Sequence, residues 1–280
     1  MHFSPSPGMQ YEQGRPMNIA IITIDSLRYD TALQADTPNL DRLLAGHRTR
    51  WHLCYAQGTD TFLSHTAMLK YGHFPVSYDS DAPAYYHPKS GKRIFRVSLG
   101  WNRNVPALYD VPEADYAVRG FQAMGYFTAG IGGVGWFDRR FQTSDFWKDV
   151  FQHFLWEPGF AESSSHALAR QTTAALRTLN AAASMERPCF FFLNVSVTHN
   201  PSFCVSSADR RTQVRAMQMV DSGIMDVIHA LPRPCHLFVL GDHGSLFADD
   251  GVTRAGSPLT GHAFYHPLVM RVPMTDLFLR

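Results

Sequence analysis

The segment HLFVLGDHGSLFADDG, residues 236–251, indicates the fold more strongly than any other part of the sequence. Its first five residues are largely apolar, as in a buried strand, and the run ends at Asp242 and His243, which have a glycine on either side. In parallel sheets, ligands bind beyond the carboxyl ends of such strands. Asp and His offer oxygen and nitrogen donors that suit zinc, manganese or iron. The segment therefore predicts a strand that ends in a metal-binding pair.

Two more predicted strands end on potential ligands. MNIAIITID (17–25) is an Ile-rich run that stops at Asp25, and CFFFLNVSVTH (189–199) reaches His199. Helical patterns separate the strands, such as TPNLDRLLAG (37–46), which has proline at its first helical position and glycine at its end. This alternation predicts an α/β fold with a mostly parallel central sheet and helices on both faces. The strand ends would then meet at one edge of the sheet. This makes a plain turn at Asp242 and His243 the weaker alternative.

Small polar residues open the segment GTDTFLSHTAMLKYGHFP, residues 58–75, in which a helix is predicted to begin near Thr61. This hydroxyl could serve as an ordinary N-cap of the helix. Near a metal ion, however, a threonine hydroxyl can lose its proton and act as a nucleophile. A helix N-terminus also favours an incoming anion such as phosphate. Thr61 is therefore a candidate nucleophile as well as a candidate cap.

Composition and charge argue against several classes of function. The chain has 280 residues and a net charge of +1, from 25 basic and 24 acidic residues, so no general attraction to nucleic acid or to an anionic membrane is expected. No apolar run approaches the ~20 residues that span a bilayer, and the first sixteen residues lack the apolar core of a secretory signal. The four cysteines have no metal-binding spacing. We therefore expect a cytoplasmic protein without nucleic-acid or membrane partners, with its oligomeric state left open.

The predicted domain organisation is simple. Residues 1–16 are rich in Pro, Gly and Ser and predict a disordered tail, whereas residues 17–280 suffice for a single catalytic domain with one large core. Residues 76–112 follow no clean period and combine Pro, Tyr, Gly and basic side chains. Such an irregular stretch in a compact domain is typical of a functional loop or an insertion, so we expect it on the substrate side of the domain.

The order of these segments resembles the alkaline phosphatase and sulfatase superfamily of metalloenzymes. The resemblance covers nearly the whole chain after Met17, and it depends on the joint occurrence of several segments in the family's order. It implies an alkaline-phosphatase-like sandwich as the fold. The segments that carry it are IITIDSLRYD with TPNLDRLLAG, TFLSHTAMLKYGHFP, GFQAMGYFTAGIGG, LNVSVTHNPS, VLGDHGSLFADDG and GHAFYHPLVMRVP.

The resemblance implies a role for each strand-end residue. Asp25, Asp242 and His243 match the family's metal ligands. Thr61 matches the family's nucleophile, which is a Ser, a Thr or a modified Cys that opens a helix and contacts the metal. The phosphatase-like branches of the family hold two metal ions, so the resemblance implies one ion or two.

A second set of family residues is only partly present. His199 falls where the family places a metal ligand or a substrate-binding histidine, and a plain turn histidine is the alternative. His262 is the best match to the late histidine, as a metal ligand or a contact to substrate oxygens, with His266 close behind as a substrate-binding candidate. The Asp expected shortly before His199 is missing, because Asn194 and Ser196 occupy that neighbourhood.

The departures from the sulfatase pattern narrow the chemistry. Sulfatases that use formylglycine carry a Cys where this sequence has Thr61, so formylglycine cannot form here. They also have a second Asp where this sequence has Ser26, and an Asn where it has His243. Fewer carboxylates and one more nitrogen donor favour a transition metal, zinc or manganese, over calcium.

Three further residues are weaker candidates. His65 stands where sulfatases carry an Arg, and it could orient the nucleophile or the substrate anion, or it could face solvent on the first turn of the helix. Lys92 and Arg96 belong to a basic cluster in the irregular stretch. They are a solvated face of that stretch or, if it folds over the site, contacts for a charged substrate.

The predicted function is hydrolysis of phosphoric esters by a metal-dependent enzyme with a threonine nucleophile, acting on a small phosphorylated metabolite. A phosphodiesterase, a phosphotransferase and a sulfatase without formylglycine are alternatives that share the same residues. A member of the family that binds a phosphorylated ligand without turnover is another. A structural α/β protein, in which the strand-end polar residues only form turns, is the last.

Overall fold

The computed structural model of the protein describes residues 16–69, 94–98, 106–110, 116–138, 140, 150–199 and 209–280, the two ranges 94–98 and 106–110 by their backbone alone. The predicted tail at 1–16 lies outside these ranges except for Pro16. Within the described residues, no helix has both the length and the apolar character needed to cross a membrane.

A central sheet organises the described residues. It has seven strands in the order β2-β11-β8-β1-β7-β5-β6; β1, β5, β6, β7 and β8 are parallel to one another, and β11 is antiparallel to its neighbours β8 and β2. The predicted mostly parallel sheet is therefore confirmed. The strands are β1 (Asn18–Ile24), β2 (His52–Tyr55), β3 (Ile94–Ser98), β4 (Pro106–Asp110), β5 (Phe127–Ile131), β6 (His153–Leu155), β7 (Cys189–Val195), β8 (Cys235–Gly241), β9 (Thr253–Arg254), β10 (Ser257–Pro258) and β11 (Arg271–Leu279).

Helices cover both faces of the sheet, as predicted. The side chains of β1 alternate between two cores: Ala20, Ile22 and Ile24 pack with α1, α2, α5, α6 and α7, whereas Ile19 and Ile21 pack on the other face with α3 and α4. This two-sided burial explains why β1 reads as a continuous apolar run. The helices are α1 (Tyr29–Gln34), α2 (Pro38–Gly46), α3 (Thr61–Leu69), α4 (Ala117–Ala123), α5 (Ala167–Ala183), α6 (Arg210–Gly223), α7 (Met225–Ala230) and α8 (Pro267–Met270).

Helix α2 begins after Thr37, as its sequence predicts, but a distant carboxylate caps it. The side chain of Thr37 makes no cap hydrogen bond. Asp221 on α6 accepts hydrogen bonds from the N–H groups of Asn39 and Leu40, at 3.2 and 2.7 Å. These bonds satisfy amides that a helix leaves free in its first turn. Asp221 is therefore a structural residue that joins two helices.

Three parts of the fold differ from the sequence pattern. The apolar residues Val214, Met217, Val220, Ile224, Val227 and Leu231 recur at one helical spacing, but two helices form there, since α6 ends at Gly223 and α7 begins at Met225. The apolar residues 267–270 (PLVM) form the helical turn α8, which Pro267 favours at the first position, and β11 then runs from Arg271 to Leu279. The irregular stretch 76–112 contains the antiparallel pair β3 and β4, in line with its β-branched and aromatic residues.

The packing of the second core leads to a stability prediction. Phe192 on β7 is completely buried, with its ring against Phe137 and Phe151. Phe192→Ala should lower the free energy of unfolding by about 3–5 kcal/mol, because it removes apolar contacts and leaves a cavity. Met124→Ala, at a side chain that is 64% exposed, should change it by less than about 0.5 kcal/mol. Denaturant titration would measure both, and similar values for the two variants would contradict the described core.

Candidate metal centre

The ends of β1 and β8 bring three potential metal ligands together. Asp25 follows β1, and Asp242 and His243 follow β8, the strand that pairs with β1 in parallel. All three side chains are buried, and one ligand atom from each lies within 4.8 Å of the others. The structure therefore brings together the three residues that the sequence predicts as ligands.

The hydrogen bonds of this trio leave acceptor atoms that face one another. Asp242 Oδ1 accepts bonds from the N–H groups of Ser26 and His243, whereas Asp242 Oδ2 is buried without a hydrogen-bond partner, 3.6 Å from His243 Nε2. His243 Nδ1 lies 2.9 Å from the carbonyl oxygen of Gly244. Because a carbonyl oxygen can only accept a hydrogen bond, Nδ1 is the ring nitrogen that carries the proton. Nε2 of the neutral ring then carries a free lone pair. Converging buried acceptors without donors fit a divalent cation.

Thr61 completes this arrangement from the first turn of α3. Its Oγ1 lies 3.2 Å from Asp25 Oδ2 and 3.2 Å from His243 Nε2. The hydroxyl has one proton and can donate it to only one of these two acceptors. Asp60 rather than Thr61 caps the helix, because Asp60 Oδ1 accepts the N–H of Leu63 at 2.9 Å. The Thr61 side chain therefore does not cap the helix but lies beside the three potential ligands, and its role as a nucleophile stays a prediction.

His65 lies directly beneath Thr61, in contact with its backbone. Nδ1 lies 2.7 Å from the carbonyl oxygen of Thr61, and Nε2 lies 2.9 Å from the hydroxyl of Thr23. The ring packs edge-on against Phe137 and Phe192. Burial lowers the pKa of His65 to about 3, so the ring is neutral at ordinary pH. The alternative that His65 faces solvent is wrong, and its contacts are those of a residue that supports Thr61.

His199 and His262 lie beside the trio, in a half-buried position. Their Nε2 atoms are 3.2 Å apart, and the ring of His262 lies 4.4 Å from that of His243. The Nδ1 atoms of both rings are buried without a hydrogen-bond partner, as is one carboxylate oxygen of Glu162. The other oxygen of Glu162 is 3.9 Å from His199 Nδ1. These two histidines can therefore face either a second cation or the oxygens of a bound anion.

The remaining candidates lie apart from the trio. His266 caps α8, where its Nδ1 accepts the N–H of Leu268 at 3.2 Å. Within the described residues, no hydrogen bond or ion pair links His266 to Asp25, Asp242 or His243. Lys92 lies outside the described residues, and Arg96 lies in β3, whose side chains are not described.

Sequence reasoning missed several residues of the site. Asn194, which stands where a family Asp was expected, donates from Nδ2 to Asp25 Oδ2 at 3.1 Å. Asp60 could have been found, since an Asp directly before a helix is a common cap. Glu162 has no sequence signal, because it lies in a loop 37 residues before His199.

Arg28 ties the two ligand-bearing turns together. Its buried guanidinium donates to both carboxylate oxygens of Asp30, at 2.8 and 2.6 Å, and to Asp250 Oδ2 at 2.6 Å. Asp250 also accepts a hydrogen bond from Arg210 at 2.8 Å. Because Arg28 closely follows Asp25 and Asp250 closely follows His243, these ion pairs hold the two turns against each other.

Burial also changes the acidity of the carboxyl groups. Burial and the neighbouring Asp242 raise the pKa of Asp25 from 3.8 to about 7. Burial likewise raises the pKa of Asp242 from 3.8 to about 7, although the N–H groups of Ser26 and His243 oppose the shift. When both are ionised, Asp25 and Asp242 therefore repel each other unless a proton or a cation lies between them.

The fold and the buried side chains of Asp25, Asp242 and His243 define an α/β protein with a candidate metal centre at the carboxyl edge of its sheet. No protein-family model and no curated protein sequence matches the chain, but solved structures do. The C-terminal periplasmic domain of EptC from Escherichia coli, in complex with Zn, matches with a TM-score of 0.60 and 12% identity, over 95% of this chain and 74% of that one.

Two further structures match at similar levels. A protein of the alkaline phosphatase superfamily from Vibrio parahaemolyticus has a TM-score of 0.54 and 16% identity, over 96% of this chain and 62% of that one. The integral membrane protein lipooligosaccharide phosphoethanolamine transferase A (EptA) from Neisseria meningitidis has a TM-score of 0.58 and 12% identity, over 97% of this chain and 49% of that one. The chain thus has the alkaline-phosphatase-like fold, which confirms the predicted resemblance at the level of the fold.

The raised pKa values predict how pH affects the metal-free protein. The Asp242 carboxyl has a pKa of about 7 in the folded protein and an ordinary value of 3.8 in the unfolded chain. Its contribution to the free energy of unfolding is complete below pH 4, falls as pH rises above that value, and is lost once pH has passed through 7. Asp242→Asn keeps an acceptor oxygen and cannot ionise. With a chelator present to remove metal, the free energy of unfolding of Asp242→Asn minus that of wild type should therefore be roughly 2 kcal/mol higher at pH 8 than at pH 5. Denaturant titration at both pH values would test this, and an equal difference at both would contradict it.

Proposed function

We propose that this protein is a metal-dependent phosphoric ester hydrolase that uses Thr61 as its nucleophile on a small phosphorylated metabolite in the cytoplasm. One observation carries the proposal: Thr61 Oγ1 lies 3.2 Å from both Asp25 Oδ2 and His243 Nε2. Because Asp60 caps the helix, this hydroxyl has no structural task there. A hydroxyl at such a position, among potential metal ligands, is typical of a nucleophile.

The residues around Thr61 suit a zinc or manganese ion. Asp25, Asp242 and His243 would hold it, with Thr61 beside them, and a second ion at His199 and His262 belongs to the proposal as an alternative to substrate contact. A bound ion lowers the pKa of a nearby hydroxyl and offsets negative charge on a phosphoryl group. The neutral His243 ring is already in the state that metal binding requires, whereas binding would displace the proton that Asp242, with its pKa raised to about 7, retains at lower pH.

The chain's own residues can perform the two halves of the reaction. In the first half, the Thr61 hydroxyl releases its proton to solvent as Oγ1 forms a bond to phosphorus, and the bond from phosphorus to the ester oxygen breaks, so that this oxygen leaves as an alcohol with a proton taken from solvent. In the second half, a water oxygen bonds to phosphorus as the bond to Thr61 Oγ1 breaks; one water proton returns to Thr61 Oγ1, and the other stays with the phosphate. His65 holds the first turn of α3 through its 2.7 Å contact with the Thr61 carbonyl. His199 and His262, half-buried at the outer side of the trio, can donate N–H groups to phosphate oxygens.

A specific comparison favours a second candidate, transfer of a phosphate-containing group. EptA is a phosphoethanolamine transferase, and LtaP from Listeria monocytogenes, a lipoteichoic acid synthase, matches this chain with a TM-score of 0.57 at 12% identity. A transferase would share the first half of the reaction, and an acceptor alcohol would replace water in the second. Hydrolase and transferase therefore differ only in what displaces Thr61.

Replacement of Thr61 tests the nucleophile directly. With zinc or manganese added, wild type should hydrolyse an aryl phosphate monoester or diester, and Thr61→Ala should lower kcat/KM by roughly 10³-fold or more, because the attacking oxygen is removed. Thr61→Ser keeps that oxygen and should retain activity. Mass spectrometry of the quenched reaction should find phosphate on the peptide that contains Thr61.

Thr66→Ala is the matched control. Thr66 lies on the same helix and is equally buried, but its hydroxyl donates to the carbonyl of Phe62 at 2.6 Å, away from the trio. It should leave kcat/KM within a few fold of wild type. Turnover by Thr61→Ala at the wild-type rate would exclude the nucleophile. Turnover of an aryl sulfate but of no aryl phosphate would favour sulfatase chemistry. If glycerol is added and the phosphoryl group is found on glycerol rather than as free phosphate, the result would favour the transferase.

A further inference from the structure

Ser26 has a backbone conformation that serine rarely adopts. It directly follows Asp25, is completely buried, and has a φ of +58°. The turn is closed by a 3.3 Å hydrogen bond from the N–H of Leu27 to the carbonyl of Ile24. Left-handed backbone favours glycine, because a Cβ is crowded there. Residues held in this way concentrate at functional sites.

The strained conformation directs two donors of one residue to two different ligands. The Ser26 N–H donates to Asp242 Oδ1 at 2.9 Å, and its hydroxyl donates to Asp25 Oδ1 at 3.1 Å. Both Oδ1 atoms are therefore held by the same residue. The two Oδ2 atoms are the oxygens that Ser26 does not contact: that of Asp242 is partnerless, and that of Asp25 lies 3.2 Å from Thr61 Oγ1 and accepts a hydrogen bond from Asn194 Nδ2 at 3.1 Å.

Packing from α6 keeps Ser26 in this conformation. Gln213 Nε2 donates to the Ser26 carbonyl at 2.8 Å, and Gln213 Oε1 accepts the N–H of Arg28 at 3.3 Å and the hydroxyl of Thr31 at 2.6 Å. A glycine could make the same backbone bonds without strain. What serine adds is the hydroxyl, which donates to Asp25 Oδ1.

We propose that Ser26 is a positioning residue of the metal centre, which orients Asp25 and Asp242 so that one oxygen of each faces a single cation. The inference rests on the metal site of the proposed function. It adds that the affinity for the ion depends on a residue that does not touch it. Outer partners of this kind commonly change metal affinity by about 10- to 100-fold.

Zinc titration by calorimetry tests the inference on the full chain. Ser26→Ala and Ser26→Gly both remove the hydroxyl and keep the N–H bond to Asp242, and each should weaken zinc binding by about 10- to 100-fold. Ser26→Gly also relieves the backbone, so without metal its thermal midpoint should lie above that of Ser26→Ala. Glu186→Gly is the control, since Glu186 is exposed, has a φ of +49° and lies away from the trio. It should bind zinc as wild type does.

The possible outcomes separate the two proposals. If wild type binds zinc and both Ser26 variants bind it equally well, Ser26 only forms a turn, and the positioning role is overturned while the proposed function stands. If wild type binds neither zinc nor manganese, both proposals fail. Circular dichroism of each metal-free variant identifies any that does not fold, and Ser26→Gly, which suits the left-handed backbone, gives the decisive comparison.

Discussion

The register between β1 and β8 is the constraint on which the site depends. Ile24 pairs with Gly241 in a parallel ladder, so the residues that follow, Asp25 and Asp242, leave the sheet side by side. A slip of one residue would turn each side chain of β1 to the opposite face and exchange its two cores. The apolar packing on both faces of β1 therefore also determines that two carboxylates meet at the edge of the sheet.

This arrangement is unfavourable in itself, and the surrounding structure compensates for it. Burial raises the pKa of both carboxyls to about 7, which means that two ionised carboxylates here, without a cation between them, would oppose the fold at neutral pH. The ion pairs of Arg28 with Asp30 and Asp250, and the bonds of Ser26 to both ligands, hold the turns together against this repulsion. A site that is costly without a cation and well braced is organised for binding one.

Much of the site was predictable because its residues stand at the ends of regular elements. Asp25, Asp242 and His243 end apolar runs, and Thr61 begins a helix; such patterns are local and can be recognised in a single sequence. The contacts around them were not predictable in this way. Asp221 caps a helix about 180 residues away in the sequence, and the 36 residues between Glu162 and His199 carry no pattern that relates the two.

The sequence by itself determined the class of fold, the strand ends and the set of potential ligands, because periodicity and chain punctuation reflect burial residue by residue. Only the tertiary structure brought the hydroxyl of Thr61 within 3.2 Å of both Asp25 Oδ2 and His243 Nε2. It also decided that His65 supports the helix from within the core and that Ser26 bridges two carboxylates. Those roles depend on the distance between elements far apart in the chain, and that distance is set by strand register and helix packing.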